Sequence, residues 1–117
     1  MREITLNGIN YPINFSVMAL RQLQKELNVD TVEEIFEKIT KGFNLDALTI
    51  MFWLGLKSCR KNTTFERACE IIDTAQDGEF VAQIGAMAEE LTASFNRLVK
   101  VEDEGSEENS KNTVNPA

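Results

Sequence analysis

Residues 45–59 read LDALTIMFWLGLKSC, and the organisation of the whole chain follows from this run. Its apolar residues fall on almost every side of a helix: Leu48, Ile50, Met51, Phe52, Trp53, Leu54 and Leu56. A helix that is apolar all round has to be covered by other elements. The sequence therefore predicts a central, buried helix from about Leu45 to Cys59.

Two shorter amphipathic helices are predicted before this run. Ser16 can cap the first, which ends near Asn28. Its apolar positions are Val17, Leu20, Leu23 and Leu27. Thr31 and Glu34 have the spacing of a capping box for the second helix, which Gly42 ends. Its apolar positions, spaced i, i+3, i+4 and i+7, are Val32, Ile35, Phe36 and Ile39.

The N-terminal residues alternate between apolar and polar with the period of two that is typical of half-buried strands. Their apolar members are Ile4, Leu6, Ile9, Tyr11, Ile13 and Phe15. Asn7-Gly8 divides the run, and this pair tolerates the positive φ angles of a two-residue type I′ turn. Pro12 has no N–H to donate, so the second strand is expected to be a sheet edge or to be interrupted there. We predict a β-hairpin.

A fourth helix is predicted after the central one. Thr63 or Thr64 begins it, and Glu66 would complete a capping box from Thr63. Its apolar spacing comes from Phe65, Ala68, Cys69 and Ile72. Asp77-Gly78 is expected to end it.

The fifth predicted helix, from about Glu79 to Lys100, is the longest. One apolar stripe follows its length: Phe80, Ile84, Met87, Leu91, Phe95 and Leu98. At 1.5 Å per residue this helix spans roughly 33 Å, about the width of a domain of this size, so its far end is expected to protrude. The stripe either packs on the third helix or, at Phe95 and Leu98 above all, contacts another molecule. All six residues are therefore candidates for binding a partner or a second copy.

Two glycines interrupt predicted helices. Gly55 lies in the third and Gly85 in the fifth. Glycine inside a helix costs about 1 kcal/mol relative to alanine, so each is expected to allow the close approach of another helix.

The apolar pattern ends after Val101. Residues 102–117 hold five acidic side chains and one lysine, a net charge of −4 out of the −7 of the whole chain. We predict one hairpin-plus-helices domain over residues 1–100, of α+β and mainly α class, followed by a disordered acidic tail over residues 101–117. Because most of the excess charge falls in the tail, the acidity is weak evidence for a functional surface.

Composition excludes several function classes. The net negative charge disfavours binding to nucleic acid and to anionic membranes. No run approaches the roughly 20 apolar residues of a membrane span, and the N-terminus lacks the apolar core of a signal peptide, so we expect a cytoplasmic protein. Cys59 and Cys69 are ten positions apart and are expected to be core thiols.

The sequence offers little chemistry for catalysis. It contains no histidine, no nucleophile motif and no phosphate-binding glycine loop. Carboxylates at Glu66, Glu70 and Asp73 share a helical face, which we interpret as solvated. The segment from Asp73 resembles a calcium-binding loop but has Ala75 and Ile84 where ligands are required. We expect no enzymatic activity, no metal and no cofactor.

Three local patterns resemble the tail assembly chaperones of long, non-contractile-tailed bacteriophages. The first is the hairpin that runs into a helix, ITLNGINYPINF at 4–15 followed by ALRQL at 19–23. The second is LDAL at 45–48 leading into FWLGL at 52–56. The third is TTFERA at 63–68 before the pair Ile71-Ile72. The resemblance covers about residues 1–100.

The resemblance implies a function. Such a chaperone binds the tape measure protein, a long and largely apolar helical chain, and keeps it soluble while the tail tube protein polymerises around it. It implies self-association into a homo-oligomer, action in the cytoplasm of the bacterial host, and absence from the mature virion. It carries over no cofactor and no catalytic residue. Two alternatives remain open: an acidic inhibitor that imitates DNA and blocks a nucleic-acid enzyme, and a structural subunit of a helical complex.

Overall fold

The computed structural model describes residues 2–99, which form a β-hairpin followed by five α-helices. The strands are β1 (Arg2–Leu6) and β2 (Ile9–Ile13), and the helices are α1 (Val17–Glu26), α2 (Val32–Thr40), α3 (Leu45–Cys59), α4 (Phe65–Asp73) and α5 (Glu79–Val99). This confirms the predicted α+β, mainly α class and the order of its elements. The predicted acidic tail lies outside the described residues.

The hairpin has the turn that its sequence requires. Leu6 pairs with Ile9 across a two-residue loop, and the register continues to Arg2 opposite Ile13. Asn7 and Gly8 both have positive φ, at 52° and 78°, as a type I′ turn demands. The buried side chains of the hairpin are all apolar: Ile4, Leu6, Tyr11 and Ile13. Ile9, opposite Leu6 beside the turn, is 51% exposed and departs from the predicted half-buried pattern.

Each edge of this two-stranded sheet lacks one donor for pairing with another strand. On β1, the backbone N–H of Thr5 donates to Oε1 of Gln83 on α5, at 3.3 Å. On β2, Pro12 has no N–H, which agrees with its predicted edge position. An unprotected edge would present a row of unpaired N–H and C=O groups to any other strand.

Helix α3 is the centre of the core, as predicted. It packs against β2 and against all four other helices. The ring of Phe52 joins three elements, because it meets Tyr11 of β2 and Phe80 of α5 edge to face, with centroids 6.3 and 6.2 Å apart. The buried residues of α3 are Ala47, Leu48, Thr49, Met51, Phe52, Leu54, Gly55 and Leu56.

The two helical glycines have different surroundings, and neither admits another helix of the described chain. A Cβ atom on Gly55 would lie 2.8 Å from Cγ2 of Ile13 and 3.0 Å from Cζ of Phe15. The element that approaches α3 there is the end of the hairpin, and the N–H of Asn14 donates to the carbonyl of Gly55 at 3.1 Å. A Cβ atom on Gly85 would meet nothing within 4 Å. The predicted close approach of another helix is therefore wrong for Gly55. At Gly85, no helix among residues 2–99 approaches closely.

The first two helices begin at the predicted caps. Oγ of Ser16 accepts from the N–H of Ala19 at 3.1 Å, at the start of α1. Thr31 and Glu34 form the complete capping box of α2. Val17 departs from the predicted pattern of α1, because its side chain is 53% exposed in the first turn, before the helix reaches the core.

Helix α4 begins at one of the two predicted threonines but ends earlier than predicted. Thr64 caps it, with Oγ1 of Thr64 accepting from the N–H of Arg67 at 3.0 Å, so the predicted capping box from Thr63 is wrong. Thr63 instead closes the end of α3: its hydroxyl donates to the carbonyl of Arg60 at 2.8 Å, and its own carbonyl accepts from Nε1 of Trp53 at 3.0 Å. The helix ends at Asp73, four residues before Asp77.

Candidate protein-binding surface on helix α5

The first turn of α5 is held by the hairpin turn. The backbone N–H groups of Asn7 and Gln76 both donate to Oε1 of Glu79, at 2.8 and 2.9 Å. These hydrogen bonds favour the charged carboxylate and lower the pKa of Glu79 below its ordinary value. The side-chain amide of Gln76 also donates to Oδ1 of Asn7 at 2.8 Å. Helix α5 therefore starts at a defined point beside the hairpin.

Two further contacts align α5 with β1. Gln83 accepts from the N–H of Thr5, and Glu89 forms an ion pair with Arg2 in which the atoms are 3.2 Å apart. The three attachment points, at Glu79, Gln83 and Glu89, cover the first half of the helix. The orientation of its second half follows from them, because an α-helix is stiff over this length.

The predicted stripe of α5 divides into a buried and an accessible part. Phe80, Met87 and Leu91 are buried among the described residues, and Ile84 is half-buried against the same core. In this conformation Phe80, Met87 and Leu91 have almost no surface to offer to a partner. This part of the stripe packs inward, which is one of the two interpretations that the sequence left open.

The end of the stripe lies at the surface. Phe95 is half-buried, and Leu98 and Val99 are 47% and 42% exposed. Phe95 does not project beyond the domain as predicted, because its ring meets Phe36 of α2 edge to face, with centroids 6.1 Å apart. We call the group of Phe36, Phe95, Leu98 and Val99 the distal α5 surface.

Sequence reasoning missed the role of Phe36 in this surface. Its spacing correctly assigned it to the apolar side of α2, but periodicity within one helix carries no information about which other helix it meets. Phe36 is half-buried, as is Phe95. The two rings form an apolar platform that is partly covered by the protein and partly open to solvent.

The distal α5 surface suits helix binding. Aromatic rings and branched aliphatic side chains provide a large apolar area and make few directional interactions. Such a surface therefore binds helices with limited sequence discrimination. Two polar residues on the inner side of α5, Glu90 and Ser94, are buried. Oγ of Ser94 accepts from Nη1 of Arg97 at 3.4 Å.

The described residues contain no group of three or more His, Cys, Asp or Glu side chains that could hold a metal ion. Cys59 and Cys69 are both half-buried. Burial raises the pKa of the Cys59 thiol, which lowers the fraction of reactive thiolate at neutral pH. Between residues 2 and 99, no helix is long and apolar enough to cross a membrane.

Comparisons with models of protein families, with curated proteins and with solved structures give no match to this chain.

Proposed function

We propose that this protein is a phage tail assembly chaperone that binds the tape measure protein and keeps it soluble while the tail tube assembles. The observation that carries the proposal is the distal α5 surface, where the rings of Phe36 and Phe95 meet edge to face and Leu98 and Val99 are exposed. A chaperone of a long apolar helix needs an accessible apolar surface on a folded domain, and Leu98 and Val99 provide exposed apolar area at the end of α5. The resemblance of residues 1–100 to the chaperone family supports the same function.

Exposed apolar residues on a small domain favour association, because burying apolar surface contributes about 25 cal/mol per Å². We propose that the chain forms homo-oligomers through the distal α5 surface and exchanges these contacts for the tape measure protein. The protein would act in the bacterial cytoplasm, without enzymatic activity, beside the polymerising tail tube protein, and would be absent from the virion.

The charge distribution gives less support to a DNA-mimicking inhibitor. Such a protein needs carboxylates arrayed along its folded surface at the spacing of phosphates. Here one eleven-residue stretch holds four cationic residues, Lys57, Arg60, Lys61 and Arg67, and a single acidic residue, Glu66.

A structural subunit of a helical complex would use the same apolar surface. Solubilisation of a free tape measure fragment distinguishes the chaperone from such a subunit.

Co-expression with an insoluble, apolar helical fragment of the tape measure protein encoded in the same genome tests the proposal. The wild-type chain should bring the fragment into the soluble fraction. Leu98→Asp should abolish this solubilisation and shift the oligomer toward monomer, while leaving the helical circular dichroism signal unchanged. Leu98 is the appropriate position because its side chain is exposed in the monomer.

Ala93→Asp is the matched control, because Ala93 is an exposed residue of the same helix. It lies five residues before Leu98, about 140° around the helix axis, and the substitution adds the same charge. It should leave both solubilisation and oligomeric state unchanged. A wild-type chain that is monomeric at high concentration and fails to solubilise the fragment would overturn the proposal, as would Leu98→Asp with wild-type performance.

A further inference from the structure

An apolar groove lies between α1 and the C-terminal half of α3, and it shares no residue with the distal α5 surface. Its volume is about 480 Å³. The residues that form it include Met18, Ala19 and Gln22 from α1, Leu54 and Lys57 from α3, and Lys61 from the following loop. None of these residues was among the predicted partner-binding residues of α5.

The groove is apolar at its base and adaptable at one side. Ala19 and Leu54 are buried and form the base. Met18 stands at the side with 72% of its surface exposed, next to Val17, which is 53% exposed. Methionine has three rotatable bonds and a polarisable sulfur, so it adjusts to partners of different shape.

The polar side of the groove is cationic. Lys57 and Lys61 contribute ammonium groups, and no carboxylate lines the groove. Nζ of Lys57 lies 5.2 Å from the ring centroid of Trp53. Neither lysine takes part in the ion pairs that Arg2 forms with Glu89 and Arg67 forms with Glu70. A chain of net charge −7 thus presents a positively charged, apolar groove.

The backbone around the groove determines the conformation of a partner. Both walls are helices, whose N–H and C=O groups are bonded within each helix, so they offer an extended strand no main-chain hydrogen bonds. On the hairpin, Gln83 accepts the N–H of Thr5 and Pro12 has no N–H, so each edge lacks one donor for an added strand. A segment that binds in this groove must therefore form its backbone hydrogen bonds within itself, as a helix does.

We propose that this groove binds an amphipathic helix of another protein whose apolar face is flanked by acidic side chains. The apolar face would contact Leu54, Ala19 and Met18, and the acidic flank would face Lys57 and Lys61. Because the two lysines are positively charged, charge complementarity favours an acidic partner over a neutral or basic one. The site is separate from the distal α5 surface and does not depend on the function proposed for it.

Two stapled, fluorescein-labelled helical peptides of 18 residues, titrated with the full chain, test the proposal. Both carry the same leucine and alanine face, one with glutamates and the other with lysines beside it. The glutamate peptide should bind at least about tenfold more tightly by fluorescence anisotropy. Trp53, the single tryptophan of the chain, lies beneath Lys57, so its emission should change on binding of an unlabelled peptide at this groove.

Charge reversal locates the binding. The double substitution Lys57→Glu and Lys61→Glu should reverse the preference between the two peptides. The matched control, Lys38→Glu with Lys41→Glu, changes the net charge equally at another surface and should preserve the preference. Leu98→Asp should also leave peptide binding intact, which separates this test from that of the chaperone function.

Three results would overturn the proposal. The first is equal binding of the two peptides. The second is an unchanged preference in the Lys57→Glu, Lys61→Glu variant. The third is displacement of the glutamate helix, at equal concentration, by a peptide of residues 101–117 of this chain, which would show that any acidic segment suffices and that no helical partner is required.

Discussion

The ring of Phe95 meets the ring of Phe36 edge to face, with centroids 6.1 Å apart and an angle of 67° between the ring planes. The contact links the end of α5 to α2, two elements that are far apart in sequence. Because both rings are only half-buried, the pair stabilises the fold on one side and remains accessible on the other. Substitution of Phe95 therefore changes stability as well as binding, and Leu98 is the better position for testing binding alone.

A double-mutant cycle measures this contact. Phe36→Ala and Phe95→Ala should each lower the free energy of unfolding, and together they should cost less than the sum of the single changes. The difference should be about 0.5–1.5 kcal/mol, the usual coupling of an aromatic pair. Urea denaturation of the four proteins gives the value. Strict additivity would mean that the two rings do not interact in solution.

Alanine at the two helical glycines should have opposite effects. Gly55→Ala places a methyl group 2.8 Å from Ile13 and should destabilise the protein by about 1–3 kcal/mol through overpacking. Gly85→Ala meets open space and should stabilise it by up to about 1 kcal/mol, because alanine has the higher helix propensity. Thermal unfolding compares the pair directly. Destabilisation by Gly85→Ala would show that a second molecule approaches α5 closely at this position.

Phe52 should be the most sensitive position tested in α3. Truncation to alanine removes the ring that contacts both Tyr11 and Phe80, and should cost about 3–5 kcal/mol. Lys57→Ala on the same helix removes a partly exposed side chain that lies over Trp53, and should cost well under about 1 kcal/mol. Chemical denaturation of both variants checks this. Similar losses would place the centre of the core elsewhere.

Acid should weaken the attachment of α5 to the hairpin through Glu79. The N–H groups of Asn7 and Gln76 lower the pKa of Glu79 in the folded protein. The charged carboxylate therefore stabilises the fold at pH values above the pKa that Glu79 has in the unfolded chain. That stability is lost as the pH falls through the lower, folded pKa. Glu79→Gln should therefore lower the melting temperature at pH 7 and have a smaller effect near pH 2.

Glu3→Gln is the control for this pH dependence, because Glu3 is an exposed carboxylate of β1. Its melting temperature should follow that of the wild type at both pH values. If Glu79→Gln lowers the melting temperature equally at pH 2 and pH 7, the charge of Glu79 does not hold the helix.

Features that depend on neighbouring residues were predictable from the sequence. The Asn7-Gly8 turn and the Thr31–Glu34 capping box require only residues within a few positions of each other. Where two adjacent residues could serve, local spacing left the choice open: the sequence allowed Thr63 or Thr64 to begin α4, and the structure has Thr64 as the cap. The carbonyl of Thr63 instead accepts from the indole N–H of Trp53, ten residues away, a contact that local spacing does not reveal.

The amino-acid sequence by itself determined the element types, most of their boundaries and the central place of α3, because helix and strand periodicity and capping are local properties. Only the tertiary structure decided which part of the α5 stripe is accessible. Phe80, Met87 and Leu91 are buried and Leu98 is exposed, although all four share one helical period. The physical reason is that periodicity gives the direction of a side chain around its own axis, whereas burial depends on whether β1, α3 or α2 lies opposite it.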